Sequence, residues 1–131
     1  MIEIWFEPHS TTKDNENNLA SGWNDVDLSE LGIKQCFELA DRNQDRNLNA
    51  IFSSDLQRAV KSAVPSSDKL RIPIYADSRL RECNYGIFTH KSKAEVENQK
   101  VDRIDDPFPN GESYQQCIDR MKDFLDWLKN S

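Results

Sequence analysis

The sequence predicts an α/β fold with a largely parallel sheet, because short β-rich segments alternate along the chain with amphipathic helical segments. Residues 2–6, 50–53 and 72–75 have the composition of strands. Helical patterns separate the second strand from the third and close the chain. With 131 residues the chain has the size of one domain, so we expect residues 1–131 to form a single unit.

The first predicted strand reads Ile-Glu-Ile-Trp-Phe at residues 2–6, and Pro8 stops it. His9 therefore lies at a predicted strand end. The stretch from Ser10 to Asp27 is rich in Thr, Asn, Asp and Ser and has neither the helical nor the strand period. It is predicted to be a long loop, a type of segment that often carries function.

The first predicted helix begins at Ser29, a residue type that caps helices well. Ile33, Cys36, Phe37 and Ala40 follow at the spacing of a single helical face.

The second strand, residues 50–53, is followed at once by a second helix. Ser54 and Gln57 have the spacing of a capping box that opens this helix. Its predicted apolar side consists of Leu56, Ala59, Val60, Ala63 and Val64. Ile72–Tyr75 is the third strand, and Pro73 places it at a sheet edge because proline cannot donate to a ladder.

The C-terminal part contains two further helices with capping boxes, at Ser92–Glu95 and at Ser113–Gln116. A turn-rich connector at residues 105–111 precedes the second one. The last helix has a clear amphipathic stripe, formed by Tyr114, Cys117, Ile118, Met121, Phe124, Leu125 and Leu128.

Composition narrows the functional classes. A net charge of −6 opposes nucleic-acid binding, and the absence of a long apolar run predicts no membrane association. Cys36, Cys83 and Cys117 are odd in number and far apart in sequence, which is typical of reduced cysteines in a cytoplasmic protein. With two histidines and no paired cysteines, we expect no metal and no cofactor.

Reactive residue types follow two strand ends, where ligands of parallel sheets collect: His9 after the first strand, and Ser53 to Arg58 after the second. The second helix also offers free N–H groups and Arg58 to an anion. Taken singly, such a histidine is more often a packing residue, and such an arginine is more often a surface charge.

The order of several motifs along the whole chain resembles the phosphoglycerate mutase-like branch of the histidine phosphatase superfamily. Those motifs are His9-Ser10-Thr11-Thr12-Lys13-Asp14-Asn15, Gly22-Trp23, Leu28-Ser29 with Gly32 and Gln35, Ser53-Ser54-Asp55-Leu56-Gln57-Arg58-Ala59, Leu80-Arg81-Glu82-Cys83-Asn84-Tyr85-Gly86 and Pro109-Asn110-Gly111-Glu112-Ser113. The resemblance implies a three-layer α/β/α fold with a mostly parallel sheet and a small cap segment at about 87–111.

The resemblance also implies roles for individual residues. His9 aligns with the nucleophile that forms a phosphohistidine, Arg58 with a ligand of the transferring phosphoryl group, and Glu82 with the acid/base. The implied phosphate or substrate contacts come from residues near them: Thr12, Asn15, Ser10, Thr11, Lys13 and Gly22.

Two positions depart from the family pattern. Pro8 stands where relatives have an arginine before the histidine, so Lys13 or the Thr11 and Thr12 hydroxyls are expected to substitute for it. Relatives also continue past the last helix into a central strand with a second histidine, whereas this chain ends at Ser131; the fold is therefore expected to be C-terminally incomplete. His90 does not match that position and is expected to lie at the surface.

The missing strand predicts one of two outcomes: either the remaining strands close up, or two chains associate as a homodimer. The leading functional hypothesis is a metal-independent phosphatase acting on small phosphorylated metabolites, with a phosphorylated substrate or inorganic phosphate as its partner. The alternatives are a catalytically impaired phosphate-binding or protein-interaction module, and a fragment of a longer phosphatase or mutase.

Overall fold

The computed structural model describes residues 1–131, and its strands and helices alternate between residues 51 and 76 as the sequence predicts. The strands are β1 (Ile51–Ser53) and β2 (Ile74–Ala76). The helices are α1 (Lys13–Glu16), α2 (Glu30–Asn43), α3 (Gln57–Leu70), α4 (Lys93–Gln99) and α5 (Tyr114–Lys129). Two single-turn 3₁₀ helices span Ser78–Leu80 and Gly86–Phe88.

The sheet consists of β1 and β2, which pair in parallel with Ile51 opposite Ile74. Helix α3 connects them, as a parallel crossover requires. The carbonyl of Pro73 accepts from the N–H of Ile51 at 2.9 Å, so the proline uses only its acceptor. The predicted edge position of this strand is confirmed, since β2 pairs with β1 alone.

Helices flank this sheet on both sides. The ring of Phe52 in β1 packs edge-on against Phe124 of α5, with 5.5 Å between ring centroids. Strand residues alternate between the two faces, so Ile51 and Ser53 point away from α5. Helix α3 contacts both strands and packs on α2. The three-layer α/β/α class is confirmed.

The N-terminal segment, residues 1–9, differs from the prediction because it contains no strand. None of its backbone groups hydrogen-bonds to another backbone group. Its contacts are made by side chains: Glu7 pairs with Arg46 at 2.8 Å, and the same guanidinium lies over the Trp5 ring. A β-rich sequence does not make a strand without a neighbour that pairs with its N–H and C=O groups. The segment therefore leaves Ile2, Ile4, Trp5 and Phe6 exposed.

The expectation that the strands close up directly is wrong, because residues 2–6 do not pair with β1. Association of two chains, the other expected outcome, stays a prediction.

Three of the four predicted helix caps are confirmed. Ser29 accepts from the N–H of Gly32, while Ser92 and Ser113 form reciprocal capping boxes with Glu95 and Gln116. The fourth is wrong, since α3 begins with Leu56 as its N-cap, and Leu56 makes no side-chain cap bond.

A residue distant in sequence caps α3 instead. Asp25 Oδ1 accepts from the N–H of Gln57 at 2.8 Å. An acidic side chain suits this position because it meets the positive end of the helix dipole. The loop from Ser10 to Asp27 is thereby attached to the helix that carries Arg58. This loop is also less irregular than predicted, because Thr12 and Asn15 form a capping box that starts α1.

The buried apolar cluster that we call the cap core consists of Ala20, Cys83, Tyr85, Val96 and Phe108. It joins the Glu82 loop to the segment between residues 87 and 111, which was predicted to form the cap. The central ring, Phe108, packs edge-on against Tyr85 at 5.2 Å and Tyr114 at 5.8 Å between centroids. By contrast, only Phe124 of the α5 stripe is fully buried. None of the helices is both long and apolar enough to cross a bilayer.

Candidate functional site

His9 lies half-buried at the end of the N-terminal segment, and its ring has a defined orientation. Its Nδ1 atom is 2.7 Å from the carbonyl oxygen of Ser10. A carbonyl only accepts hydrogen bonds, so Nδ1 carries the proton and donates it. In the neutral ring, Nε2 is then left with its lone pair. His9 is thus held in the tautomer that a nucleophile at Nε2 needs.

The backbone next to His9 is fastened to α3 through Ser62. The N–H of Ser10 donates to Ser62 Oγ at 2.9 Å, and Ser62 Oγ donates to the carbonyl of Arg58 at 2.6 Å. Ser62 was not among the predicted site residues. A signal was present, since Arg58, Ser62 and Ser66 are spaced four apart and form a buried polar face of α3.

Thr11 is held against α2 by a close backbone approach. Its N–H donates to Gln35 Oε1 at 2.9 Å, and its carbonyl accepts from the N–H of Ser29 at 3.0 Å. A Cβ atom on Gly32 would lie 1.9 Å from the Thr11 carbonyl oxygen. Only glycine fits there, which gives a physical reason for the Gly32 and Gln35 spacing noted in the sequence.

Thr12, Lys13 and Asn15 occupy the first turn of α1. Thr12 has no exposed surface, and its hydroxyl accepts from the N–H of Asn15 at 3.0 Å while its own N–H donates to Asn15 Oδ1 at 2.9 Å. The Nδ2 group of Asn15 keeps no partner within the protein. Lys13 is exposed and makes no ion pair. The free donors of this turn therefore belong to Lys13 and Asn15.

The guanidinium of Arg58 is buried, with only 3% of the side chain exposed. Nη1 donates to the carbonyl of Asn24 at 2.8 Å, and Nη2 donates to the carbonyl of Gly22 at 2.6 Å. Gly22 has φ of +51°, a conformation that favours glycine. The turn at Gly22 therefore fixes the direction in which the Arg58 charge points.

Glu82 meets this charge directly. Its Oε2 lies 3.3 Å from Arg58 Nη2, and its Oε1 accepts from the Tyr85 hydroxyl at 2.8 Å. Burial, followed by the neighbouring Glu82 carboxylate, raises the pKa of Tyr85 far above its ordinary value, so the hydroxyl keeps its proton and donates. The Glu82 side chain remains 43% exposed, which leaves it open to a ligand.

The backbone of Glu82 is supported by two residues that were not among the predicted site residues. Trp23 Nε1 and Arg120 Nη2 each donate to the Glu82 carbonyl at 2.8 Å. Arg120 also donates to the carbonyls of Arg79 and Arg81. The single sequence signal for Arg120 is its place on the polar side of α5, which is shared by many surface residues.

The structure thus brings Arg58, Glu82 and Gly22 into contact. The backbone N–H of Ser10, the residue after His9, is connected to the backbone carbonyl of Arg58 through the Ser62 hydroxyl. His90 is about half exposed, with Nε2 3.0 Å from Asp14 Oδ2 and 2.8 Å from Nδ2 of Asn24, the residue whose carbonyl accepts from Arg58. One group of residues could hold a metal: Cys83, Glu112 and Cys117, whose ligand atoms lie within 4.8 Å of one another.

A histidine with a free Nε2, a buried arginine and an accessible carboxylate fit the requirements of phosphoryl transfer. The comparisons with known proteins agree with this class. Residues 4–131 match the model of the histidine phosphatase superfamily (branch 1). The chain belongs to that family.

Among its relatives is the 2,3-bisphosphoglycerate-dependent phosphoglycerate mutase of Streptococcus sanguinis, which is 36% identical over 104 residues. That match covers 76% of this chain and 45% of the mutase. The chain therefore spans about half the length of the curated relatives it matches.

Solved structures of phosphatases share the fold. A mycobacterial glucosyl-3-phosphoglycerate phosphatase in complex with VO3 superimposes with a TM-score of 0.80 at 28% identity, over 94% of this chain and 65% of the other. The complex of that mycobacterial enzyme with inorganic phosphate gives a TM-score of 0.77 at 27% identity, over 94% and 60%. The similar proteins include both mutases and phosphatases.

Proposed function

We propose that this site hydrolyses small phosphate monoesters through a phosphohistidine at Nε2 of His9. The observation that carries the proposal is the 2.7 Å contact between His9 Nδ1 and the Ser10 carbonyl, because it leaves Nε2 as the free nucleophilic nitrogen. The family of the chain supports the same assignment.

The reaction takes two steps. In the first, the Nε2 lone pair attacks phosphorus, the ester P–O bond breaks, and protonated Glu82 gives its proton to the leaving oxygen. In the second, Glu82 accepts a proton from water as the water attacks the phosphohistidine. Inorganic phosphate leaves, and His9 returns to its neutral form.

Arg58 stabilises the charge that develops on the phosphoryl oxygens. Its buried guanidinium is oriented before substrate binds by the Gly22 and Asn24 carbonyls, so little reorganisation is needed. A bound phosphoryl group would compete with the Glu82 carboxylate for Nη2, which separates Glu82 from Arg58 and frees it for proton transfer.

The remaining phosphate contacts are assigned by their free donors. Lys13 and the Nδ2 group of Asn15 lie on α1 without partners and are proposed to bind phosphate oxygens, together with the Thr11 hydroxyl. Ser10, Thr12 and Gly22 are proposed to shape the pocket, because their polar groups already bond to Ser62, Asn15 and Arg58.

Hydrolysis is favoured over mutase activity by the small segment between residues 87 and 111. A mutase must hold its substrate while the phosphoryl group returns to a different oxygen, which requires more gripping surface. In this segment α4 has seven residues, and its one buried residue, Val96, faces the cap core rather than a ligand.

A phosphate-binding module without turnover is the second candidate, and Pro8 favours it. The proline stands where the family has an arginine, and one missing charged donor can lower a rate by about two to three orders of magnitude. Under this reading the site binds phosphate through Arg58 and Lys13 without turning it over.

The test is hydrolysis of a chromogenic phosphomonoester by the wild type, His9→Ala and Glu82→Gln, with chelator present throughout. We expect chelator-resistant turnover in the wild type, none in His9→Ala, and a fall of about 10²–10⁴-fold in Glu82→Gln. Wild-type rates in His9→Ala would overturn the mechanism. Phosphate binding to the wild type without turnover would favour the binding module.

A further inference from the structure

Behind the Glu82 loop, two cysteines from distant parts of the sequence lie side by side. Cys83 directly follows Glu82, and Cys117 lies in the first turn of α5. Their sulfur atoms are within 4.8 Å of each other and of a Glu112 carboxylate oxygen. The third cysteine, Cys36, lies elsewhere, in α2, where its sulfur is 3.3 Å from Ser10 Oγ.

The groups around these sulfurs disfavour the binding of a metal cation by Cys83, Glu112 and Cys117. Arg120 donates to both oxygens of Glu112, from Nε to Oε2 and from Nη2 to Oε1, each at 2.9 Å. The N–H of Asn84 also donates to Oε1, and Arg120 Nη2 reaches Cys117 Sγ at 3.5 Å. The carboxylate is thus committed to donors, and a guanidinium charge already stands beside the sulfur.

That same charge favours a thiolate at Cys117. The adjacent Cys83 thiol, which can donate to the Cys117 sulfur, and the Arg120 guanidinium hold the pKa of Cys117 below its ordinary value. The pKa of Cys83 is raised by the Cys117 sulfur and by burial. Of the two sulfurs, Cys117 is therefore the one whose thiolate form is favoured, although burial and the Glu112 carboxylate, 3.5 Å from its sulfur, oppose the lowering of its pKa.

Access differs in the same direction. Both cysteines line an open cleft of about 530 Å³, and Cys117 is the partly exposed one of the two. Cys83 is 5% exposed. A small oxidant would therefore reach Cys117 first, with Cys83 behind it.

We propose that Cys83 and Cys117 form a redox-active dithiol that closes to an intramolecular disulfide when it meets a low-molecular-weight disulfide such as oxidised glutathione. The Cys117 thiolate attacks one sulfur of the oxidant, whose S–S bond breaks to release one reduced glutathione. Cys83 then loses its proton and attacks Cys117 Sγ, releasing the second glutathione. The two protein thiols are oxidised, and the oxidant is reduced to two thiols.

The disulfide would connect α5 covalently to the loop that carries Glu82. Arg120 already holds this loop through three backbone carbonyls, so the protein is built to keep the two elements together. The inference concerns a modification site and does not depend on the proposed hydrolysis.

The test places the purified chain in glutathione buffers of increasing oxidised fraction, followed by acid quenching, denaturation, alkylation and peptide mapping. We expect the number of alkylated cysteines to fall from three to one, with a Cys83–Cys117 linkage and a reduced Cys36. Cys36→Ser, the matched control, should form the same linkage.

Two further variants test the order of attack. Cys83→Ser should accumulate a glutathione adduct on Cys117, because no second thiol displaces it. Cys117→Ser should form neither adduct nor linkage. A wild type that keeps three alkylatable cysteines, or an adduct on Cys83 in place of Cys117, would overturn the proposal. Stoichiometric zinc that protects both cysteines from alkylation would also overturn it and would assign a metal site.

Discussion

The N-terminal segment and the cap core are both rich in aromatic residues, yet only the cap core is buried. Phe6 is 84% exposed, whereas Phe108 is 1% exposed. Around Phe108, three aromatic rings pack within 5.8 Å between centroids, and the flanking turns hydrogen-bond to one another. Around Phe6, the segment has side-chain contacts to Arg46 and no backbone ladder. Apolar sequence therefore becomes structure only where the chain supplies its partner.

The largest expected effect is at the centre of the cap core. Phe108→Ala removes a ring that contacts Tyr85, Phe88 and Tyr114, and it leaves a cavity. We expect a loss of about 3–5 kcal/mol in the free energy of unfolding. Urea denaturation followed by circular dichroism measures it. A loss below about 1 kcal/mol would show that the cap core does not hold the fold together.

The turn next to the cap core should be nearly as sensitive. Gly86 has φ of +55°, and a Cβ there would lie 1.9 Å from the Pro109 carbonyl oxygen. We expect Gly86→Ala to destabilise the protein by about 2–4 kcal/mol. Gly22→Ala is the matched control, since φ is also positive but the nearest atom is 3.1 Å away. If thermal denaturation showed equal losses of stability in the two variants, the close contact at Gly86 would not add to the destabilisation.

The Glu112–Arg120 pair predicts a pH dependence. Burial raises the pKa of Glu112, but the hydrogen bonds from Arg120 and from the Asn84 N–H lower it by a larger amount. The pKa of Glu112 in the folded protein therefore lies below its ordinary value of 4.5. A carboxyl group with a depressed pKa stabilises the folded state above its ordinary pKa, and this stabilisation is lost as the pH falls through the folded-state value.

Glu112→Gln should therefore lower the free energy of unfolding by about 1–3 kcal/mol at pH 7. The difference in unfolding free energy between this variant and the wild type should shrink below pH 4.5. Urea denaturation at pH 7, 5, 4 and 3 measures this. Glu97→Gln is the control, because Glu97 is exposed and lies 3.9 Å from its partner Lys100. If the destabilisation by Glu112→Gln increased as the pH falls, the pKa of Glu112 would be raised in the folded protein, and this prediction would be wrong.

The smallest expected effect on stability is in the N-terminal segment. Phe6→Ala should change the free energy of unfolding by less than about 0.5 kcal/mol, because the ring has no buried contact. It should instead weaken any self-association, which sedimentation velocity measures over a range of concentrations. A dimer that forms equally well with Phe6→Ala would show that this segment does not join two chains.

The contrast between the N-terminal segment and the cap core also shows which elements of the fold could be predicted from the sequence. Helices α2 to α5, their Ser29, Ser92 and Ser113 caps, and the β1–α3–β2 unit follow from local patterns and were predicted, whereas α1 was not. The strand at residues 2–6 was predicted from composition, but a strand also depends on a pairing partner, which local composition does not encode. The predicted cap of α3 was wrong for a related reason: the N–H of Gln57 bonds to Asp25, 32 residues away in the sequence, and not to the nearby Ser54.

The site shows a similar division. His9, Arg58 and Glu82 were predicted through motifs, and the structure brings Arg58 and Glu82 together. Ser62 and Arg120 were missed because they act by bonding to backbone carbonyls and amides, which any sequence provides. The Cys83–Cys117 pair was missed because the two residues are 34 positions apart and adjoin only after the loop packs on α5.

Trapping of labelled phosphate on the protein tests the central claim, that His9 Nε2 attacks phosphorus, most directly. The chain has two histidines, so acid-labile label after rapid quenching of a labelled phosphomonoester reaction can be assigned with two variants. We predict label on the wild type and on His90→Gln, and none on His9→Ala. Label that persists on His9→Ala, or turnover by a wild type that never carries label, would contradict the mechanism.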